Sequence, residues 1–338
     1  MKIAVFETEQ WERESFEPLQ EEHEVTFSEE RLTDENARDY ADAEIVSTFI
    51  YSDLSASVLT EFENLKLIAT RSTGSDHVDA EHCEEQGITV ATVPTYGDNT
   101  VAEHVFALLL AISRNVVEAA NRTSRGEFSQ RGLRGFDLRE KTLGIIGTGD
   151  IGAHVIRIAQ GFGMKVVAFD VEPRDELSER YDFPYLPMEE VLATSDVITL
   201  HVPLNDETRH LIDGEAFEQM KDGVVLINTA RGSVVDVEAL AEALLSGKVA
   251  AAGLDVLPAE PVVREEAELL RSAYEHEHDL EVLLANHVLL RMRNVVVTPH
   301  TAFNTREAVE RILDSTVENI KGFVKGEPEN VVVGGSEG

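Results

Sequence analysis

Sulfur, lysine and long apolar runs are all scarce in this chain of 338 residues. Cys83 is the one cysteine, which excludes an intramolecular disulfide and is typical of a reducing compartment. The longest apolar run, 105–112, is too short to cross a bilayer. Residues 1–6 indicate a first strand and leave no room for a signal peptide. We therefore expect a cytoplasmic protein that has no membrane partner.

Positive charge is the other scarcity. The chain has 29 Lys and Arg, only 8 of them Lys, against 64 Asp and Glu, for a net charge of −35. The acids alternate with apolar runs along the chain, which indicates a solvated acidic surface on a folded protein rather than a disordered acidic segment. The negative charges of such a surface repel one another at low ionic strength, and salt reduces this repulsion by screening them. We expect a halophilic protein that does not bind nucleic acid.

Six short apolar runs occur between residues 142 and 299, most of them followed by a helical stretch. They are 143–146, 165–169, 196–202, 224–228, 250–256 and 295–298. This alternation predicts a parallel, doubly wound sheet, in which ligands bind beyond the carboxyl ends of the strands. Glycine or polar residues stand at or just beyond these ends: Gly147, Asp170, His201, Arg231, Asp255 and His300. The sequence therefore predicts a site along one sheet edge.

A second series of apolar runs lies before residue 96 and predicts a smaller, flavodoxin-like domain. The apolar helix expected at 100–113 follows it, and the helical stretch 304–323 is expected to return to it. We predict an α/β protein with two doubly wound parallel-sheet domains and a cleft between them. A Rossmann dinucleotide-binding domain, 99–301, is inserted into a substrate domain, 1–98 and 302–338.

A glycine turn follows the first strand of the larger domain and opens a helix. Gly147, Gly149 and Gly152 allow a tight turn and let a pyrophosphate approach backbone N–H groups at a helix N-terminus. Asp170 lies 18 residues past Gly152, where a carboxylate can hold both ribose hydroxyls and repel a 2′-phosphate. The next arginine, Arg174, is four residues further on. The pattern predicts NAD in preference to NADP; the alternative is a structural turn and a surface aspartate.

Arg231, Glu260 and His300 combine three functions that hydride transfer to or from a 2-hydroxy acid requires. An arginine can bind a carboxylate through two parallel N–H bonds. A histidine can take or return the hydroxyl proton. A carboxylate beside that histidine would raise its pKa and fix its tautomer. Each residue also has a simpler interpretation, as a solvated loop arginine, an isolated histidine and a surface acid.

Several motifs together resemble the D-isomer-specific 2-hydroxyacid dehydrogenases, in that family's order and over nearly the whole chain. They are RSTGSDHVD at 71–79, VPTY at 93–96, GTGDIG at 147–152, NTARGSVVD at 228–236, LDVLPAEP at 254–261 and TPHTAF at 298–303. The forms at 93–96 and 298–303 are most similar to the D-lactate dehydrogenase branch. The resemblance implies His300 as the acid/base, Glu260 as its partner and Arg231 as the carboxylate clamp.

The same resemblance implies further contacts. Backbone N–H groups of Thr73 and Gly74 would hold the substrate carboxylate, and Tyr96 would meet the substrate. Tyr51, at a strand end of the first domain, is either a pocket residue or a core residue. The cofactor contacts implied beyond the glycine turn and Asp170 are Thr100, Asp150 and Ile151 along the pyrophosphate, His201 and Pro203 beside the adenosine, and Asp255 with Thr229 and Ala230 at the nicotinamide amide.

The resemblance also implies a homodimer. The apolar helix 101–112 is either a buried partner surface or a buried element of its own domain. The acidic stretch 261–292 carries His276, His278 and His287 without a metal-ligand pattern, so we expect no metal. This stretch could cover the cleft or modify the dimer.

The leading hypothesis is the interconversion of a small 2-oxo acid and its D-2-hydroxy acid with NAD. Two alternatives remain open. One is a related oxidoreductase that acts on phosphite or on hydroxypyruvate or glyoxylate. The other is a binding protein that senses NAD without catalysis.

Overall fold

The computed structural model describes residues 1–75, 77–258 and 280–334, except for the side chains of residues 280 and 281. The chain divides into two compact units: unit 1, Met1–Tyr96 with Asn304–Gly338, and unit 2, Gly97–Phe303. These boundaries lie two residues from the expected ones, and the assignment of a role to each domain stays a prediction. The expectation of two α/β folds, each built on a mainly parallel sheet, is confirmed.

The strands in chain order are β1 Lys2–Val5, β2 Glu24–Phe27, β3 Ile45–Thr48, β4 Leu67–Thr70, β5 Thr89–Ala91, β6 Thr142–Ile146, β7 Lys165–Phe169, β8 Val197–Leu200, β9 Val224–Asn228, β10 Val249–Leu254, β11 Val295–Val297 and β12 Val331–Val333. The described helices are α1 Glu17–Gln20, α2 Ala56–Leu59, α3 Ala80–Gln86, α4 Asp98–Ser113, α5 Val116–Ser124, α6 Asp150–Gly161, α7 Asp175–Tyr181, α8 Met188–Thr194, α9 Gly214–Gln219, α10 Val237–Ser246, α11 Leu280–Leu289 and α12 Arg306–Lys325. Short 3-10 turns occur at Glu12–Phe16, Ala37–Tyr40 and Gly232–Val234.

The sheet of unit 1 has the strand order β12-β5-β4-β3-β1-β2. Its five N-terminal strands are parallel and follow the flavodoxin-like order. β3 and β4 are buried at every residue, as expected of parallel strands that helices cover on both faces. β12 pairs antiparallel with β5 at the edge, so this sheet is not wholly parallel as the sequence predicted. The stretch expected at 304–323 is α12, which packs over β4.

The sheet of unit 2 has the parallel order β11-β10-β9-β8-β6-β7. A bridge between Ala168 and Tyr185 extends it beyond β7, which gives the Rossmann arrangement. The central strands β8 and β9 are buried at every residue, and separate apolar cores lie on the two faces of the sheet. This double coverage explains the continuous apolar runs in the sequence.

Helix α4 begins at Asp98 and packs against α6 and β10. Seven of its residues are buried within unit 2, which favours the interpretation of this helix as an element of its own domain. Within the described part of the chain, no single helix is long and apolar enough to span a membrane. Helices α4 and α5 pass that test only when taken together, and the chain bends by 62° between them.

Candidate active site

The carboxyl ends of the strands in unit 2 lie side by side. Sheet register aligns the terminal residues Phe169, Ile146, Leu200, Asn228, Leu254 and Val297 across the six strands. The residues that follow them, and that the sequence singled out, therefore emerge at one edge of the sheet. Arg231 and His300 stand three residues past the ends of β9 and β11.

The glycine turn between β6 and α6 contains two glycines that the fold itself requires. Gly147 has φ +93°, and a β-carbon on it would lie 2.6 Å from the carbonyl oxygen of His201. A β-carbon on Gly152 would lie 2.3 Å from the carbonyl oxygen of Gly147. Gly149 differs, because its φ is −57° and a β-carbon there would meet nothing within 4 Å. The fold leaves open space over Gly149 at the N-terminus of α6, where Asp150 and Ile151 begin the helix, and this space suits a pyrophosphate.

Asp170 is held beside this turn as a carboxylate. Its Oδ2 accepts the N–H of Thr148 at 2.5 Å and the Thr148 hydroxyl at 2.9 Å, and its Oδ1 accepts the N–H of Glu172 at 3.0 Å. Burial alone would raise the pKa of Asp170, but these hydrogen bonds hold it below the usual range. An ionised carboxylate at this position can accept hydrogen bonds from ribose hydroxyls.

Arg174 also lies at the glycine turn, although four residues separate it from Asp170 in the chain. Its guanidinium donates to the carbonyl oxygen of Thr148 at 3.1 Å and to the Asp150 carboxylate at 3.3 Å. The hydroxyl of Tyr185 connects the two sides, since it accepts from the Arg174 N–H at 3.1 Å and bonds the Thr148 hydroxyl at 2.8 Å. No local pattern in the sequence indicates Tyr185, whose bridge to Ala168 beside β7 brings it to the turn.

His201 follows β8 and carries no charge near neutral pH. Desolvation lowers the pKa of its imidazole to about 3. Its Nε2 bonds the Thr199 hydroxyl at 3.0 Å, and its backbone N–H donates to Ile146 at 2.8 Å. Pro203 is exposed two residues further on. A neutral ring and a proline offer an apolar surface of the kind that an uncharged adenosine requires.

The turn that carries Arg231 is fixed by its own sequence. The Asn228 side chain accepts from Ala230 N–H at 3.0 Å and donates to the Arg231 carbonyl at 2.9 Å. A β-carbon on Gly232 would lie 2.2 Å from the Leu257 carbonyl carbon, so glycine is required where this turn passes the segment that follows β10. The half-buried Arg231 also donates from Nη1 to the Ala230 carbonyl at 2.9 Å.

Thr229 in the same turn has a buried hydroxyl without a hydrogen-bond partner in the described part of the chain. Leaving such a group unpaired costs about 1–3 kcal/mol, so an incoming donor or acceptor would be favoured there. The resemblance placed Thr229 and Ala230 beside the amide of the nicotinamide. The unpaired hydroxyl, the space over Gly149 and the ionised Asp170 all fit a bound dinucleotide.

His300 lies in a turn that wraps around Asp255. The Asp255 carboxylate, 1% exposed, accepts the hydroxyl of Thr298 at 2.5 Å and the N–H groups of Thr301 and Ala302 at 2.9 and 2.8 Å. The carbonyl oxygen of Asp255 accepts the His300 N–H at 2.8 Å. His300 has φ +53°, a left-handed conformation that a non-glycine residue adopts only when its surroundings enforce it.

Asp255 is ionised in these surroundings. Burial would raise its pKa, but hydrogen bonds from His104, Thr298, Thr301 and Ala302 lower it below the usual range. Sequence reasoning assigned Asp255 to the nicotinamide, a role that stays a prediction. It missed the contribution of His104, which lies almost 200 positions before Thr298 and meets it only in the folded unit.

Glu260, the expected partner of His300, lies outside the described residues, as do His276 and His278. The described part of the acidic stretch 261–292 begins at α11, where Asn286 donates to the carbonyl oxygen of Pro258 at 2.8 Å. His287 accepts from Arg291 at 3.3 Å on the same helix. Across the described ranges, no group of three His, Cys, Asp or Glu residues is placed to hold a metal ion.

Four predicted substrate contacts belong to unit 1, while Thr100 is buried in the first turn of α4 in unit 2. Thr73 donates from its hydroxyl to the Val93 carbonyl at 2.8 Å, and Gly74 accepts from the Ser72 hydroxyl at 2.7 Å. The Tyr96 carbonyl accepts from Arg311 at 2.7 Å.

Tyr51 is positioned by Glu7, which the sequence did not single out. Glu7 has φ +53°, and its carboxylate accepts the Tyr51 N–H at 2.9 Å and the Phe49 N–H at 2.9 Å. The buried Arg71 donates to the Glu7 carbonyl at 2.8 Å and to that of Phe6 at 2.6 Å. Desolvation lowers the pKa of Arg71. The first residue of the motif at 71–79 therefore acts as an internal brace at the end of β4.

The chain is similar to known proteins along nearly its whole length. Residues 106–302 match the family described as D-isomer specific 2-hydroxyacid dehydrogenase, NAD binding domain. D-lactate dehydrogenase of Escherichia coli (strain K12) is 36% identical over 340 residues, which cover 97% of this chain and 98% of that protein. Glycerate dehydrogenase of Methylorubrum extorquens is 40% identical over 283 residues, 82% of each chain. The crystal structure of D-lactate dehydrogenase from Aquifex aeolicus, complexed with NAD and lactic acid, has a TM-score of 0.86 and 36% identity, and the match covers 99% of this chain and 100% of that one.

Proposed function

Since the chain belongs to the D-isomer specific 2-hydroxyacid dehydrogenases, and is thus an NAD-dependent oxidoreductase, we propose that it interconverts a small 2-oxo acid and its D-2-hydroxy acid. The observation that carries this proposal is the register of the unit 2 sheet. It brings the glycine turn, Asp170, the Arg231 turn and the His300 turn to one edge. NAD supplies the hydride acceptor, and NADH the donor, of the reaction.

His300 is the proposed acid/base. During reduction its imidazolium donates a proton to the carbonyl oxygen of the oxo acid, and during oxidation the neutral imidazole takes it back. The turn around Asp255 supports this role, because it fixes the backbone of His300 in a conformation that is unfavourable by itself. Glu260 is proposed to keep the imidazole in the correct tautomer, as the sequence motif implies.

Arg231 is the proposed carboxylate clamp. Its turn is held by Asn228 and packed at Gly232, so the guanidinium starts from a restricted backbone. A fork of two N–H bonds would fix both the position and the plane of the substrate carboxylate, and so orient the adjacent carbonyl for hydride transfer. The substrate contacts expected of Thr73, Gly74, Tyr51 and Tyr96 remain part of this proposal.

The decisive experiment is a panel of 2-oxo acids assayed with NADH in high KCl, followed by chiral analysis of each product. We expect turnover of a small oxo acid to the D-isomer. His300→Ala should lower kcat about 100- to 10,000-fold, while NADH binding by fluorescence stays intact. Turnover by that variant at the wild-type rate would remove His300 from the mechanism. Binding of NADH without turnover of any substrate would indicate the non-catalytic sensor instead.

A second substrate class is hydroxypyruvate or glyoxylate. The similarity to a glycerate dehydrogenase, 40% identical over 283 residues, favours including both in the panel. The same residues would act on them, since each is a 2-oxo acid. The ratio of kcat/KM values for hydroxypyruvate and pyruvate decides between the two classes.

We also propose that the protein is a homodimer adapted to a cytoplasm of high salt concentration. Val116 and Val117 on α5 are about half exposed, and Phe128 in the following loop is 79% exposed. Large exposed apolar side chains favour a contact with a second copy. The net charge of −35 supports the requirement for salt. Light scattering at high and low KCl, with activity measured in parallel, tests both ideas; a salt-independent monomer would contradict them.

A further inference from the structure

Helix α4 lies directly against β10 because β10 contains a glycine at the contact. A β-carbon on Gly253 would lie 3.0 Å from the Leu108 β-carbon and 3.2 Å from Ile112 Cδ1. His104 stands one helical turn before Leu108 and therefore on the same face of α4. This close packing brings His104 to the carboxyl ends of β10 and β11. A polar side chain here is unusual on a face that otherwise packs apolar residues.

His104 makes two contacts from one nitrogen. Its Nε2 lies 3.0 Å from the Thr298 hydroxyl oxygen and 3.4 Å from Asp255 Oδ1, and its side chain is 20% exposed. The Thr298 hydroxyl hydrogen is directed to the ionised Asp255 at 2.5 Å. The hydroxyl oxygen can therefore only accept from His104, which requires a hydrogen on Nε2. The hydrogen bonding thus assigns a hydrogen to Nε2 of His104.

The carboxylate of Asp255 collects the donors that shape the His300 turn. They come from the two sides of His300, from Thr298 before it and from Thr301 and Ala302 after it. His104 approaches the same carboxylate from helix α4, outside this turn. A buried carboxylate that loses a donor becomes less favourable as an anion, and the Thr298 hydroxyl, no longer polarised by His104, becomes a weaker donor to it.

We propose that His104 is a positioning residue: through Thr298 and Asp255 it holds the 298–302 turn, and so sets the backbone of His300 for proton transfer. This role rests on the proposed function of His300. His104 itself touches neither substrate nor cofactor in the proposal. It acts as the fixed end of a short hydrogen-bonded chain that runs from α4 to the proposed acid/base.

Two pairs of variants separate this role from simple packing. His104→Gln places an amide N–H where Nε2–H stands, whereas His104→Leu fills similar space without a donor. Thr298→Ser keeps the hydroxyl, whereas Thr298→Val removes it at nearly constant volume. His23→Leu in unit 1, whose ring lies 3.5 Å from the N-terminal amine, serves as the control for the loss of an imidazole elsewhere.

We expect His104→Leu and Thr298→Val to lower kcat about 10- to 100-fold, since small displacements of a reacting group have effects of this size. The KM for NADH should change less than kcat, because the glycine turn and Asp170, at the other end of the proposed cofactor site, are untouched. His104→Gln and Thr298→Ser should recover most of the lost kcat. Thermal unfolding shows which variants fold; if His104→Leu does not, the Thr298 pair carries the comparison.

Amide hydrogen exchange over residues 298–303 gives a readout that does not depend on turnover. The Thr301 and Ala302 amides should exchange faster in His104→Leu and at the wild-type rate in His104→Gln. Unchanged exchange together with unchanged kcat in both folded apolar variants overturns the inference. If wild type itself turns over no oxo acid, the proposed function fails, and the exchange data still decide whether His104 holds the turn.

Discussion

Asp170 receives both donors of Thr148, the backbone N–H at 2.5 Å and the hydroxyl at 2.9 Å. Asp170, the first residue after β7, is thereby hydrogen-bonded to the glycine turn after β6. With the Glu172 N–H as a third donor, on Oδ1, the carboxylate still has room for a ligand hydroxyl, since a carboxylate can accept about four hydrogen bonds. A negative charge set at this turn selects against a cofactor that carries an additional phosphate.

Replacing Asp170 tests that selection. Asp170→Ala should weaken NADH binding about 10- to 100-fold, because bonds from a charged acceptor are lost. NADPH should bind better than to wild type, since the repulsion is gone and Arg174 lies at the same turn. Fluorescence titration with both cofactors measures the change. Asp175→Asn, an exposed substitution that also removes one negative charge, is the control and should leave the preference unaltered.

The glycine turn allows a comparison of two alanine variants. Gly152→Ala should destabilise the fold by about 1–3 kcal/mol, because the new β-carbon meets the Gly147 carbonyl oxygen. Gly149→Ala should leave thermal stability nearly unchanged, because its β-carbon enters open space. NADH affinity should nevertheless fall in Gly149→Ala, since that space is where the pyrophosphate is expected. A stable Gly149→Ala variant with normal NADH affinity would show that the cofactor does not approach there.

Arg231→Lys separates charge from geometry. Lysine keeps the positive charge but cannot form the two parallel bonds of a guanidinium. We expect kcat/KM for the oxo acid to fall about 10- to 100-fold, which corresponds to the loss of one bond between charged groups. The dissociation constant for NADH should not change. Steady-state kinetics with calorimetric NADH binding provide both numbers, and an equal loss in the two would argue for general damage to the turn.

His201 should make the free energy of unfolding depend on pH. The pKa of this imidazole is about 3 in the folded protein against 6.5 for an ordinary histidine. Below pH 6.5 the unfolded chain therefore binds a proton that the folded chain does not, so stability decreases as the pH falls from 6.5 towards 3. His201→Gln removes this contribution. Urea unfolding at several pH values should show a stability difference between the two proteins that changes across this window and is constant above it.

Much of unit 2 could be predicted because its signals are local. Buried central strands give apolar runs, and their ends carry turn residues, so Gly147, Asp170 and Asp255 could be placed without knowing the fold. The contacts among these positions could not be predicted in the same way. His104 meets Thr298 only because α4 packs on Gly253, and nothing near residue 104 indicates that partner.

Unit 1 shows the same limit. The strands of unit 1 were expected from the apolar runs before residue 96, but the brace that Arg71 forms with Glu7 connects positions 64 residues apart. The antiparallel β12 was not predicted, because a strand of three partly exposed residues gives little periodic signal. Glu260 illustrates a different limit, since its motif alone supports its role and it lies outside the described residues.

The pairing of β12 with β5 has a consequence for the order in which the protein is made. Unit 1 is discontinuous, and its sheet edge and the helix over β4 come from the last part of the chain. Every described strand of unit 2 is synthesised before α12 and β12. Unit 2 can therefore fold while the nascent unit 1 still exposes the edge of β5, an edge that could pair with other chains. During synthesis, unit 2 becomes complete first, and the sheet that begins with β1 is closed last.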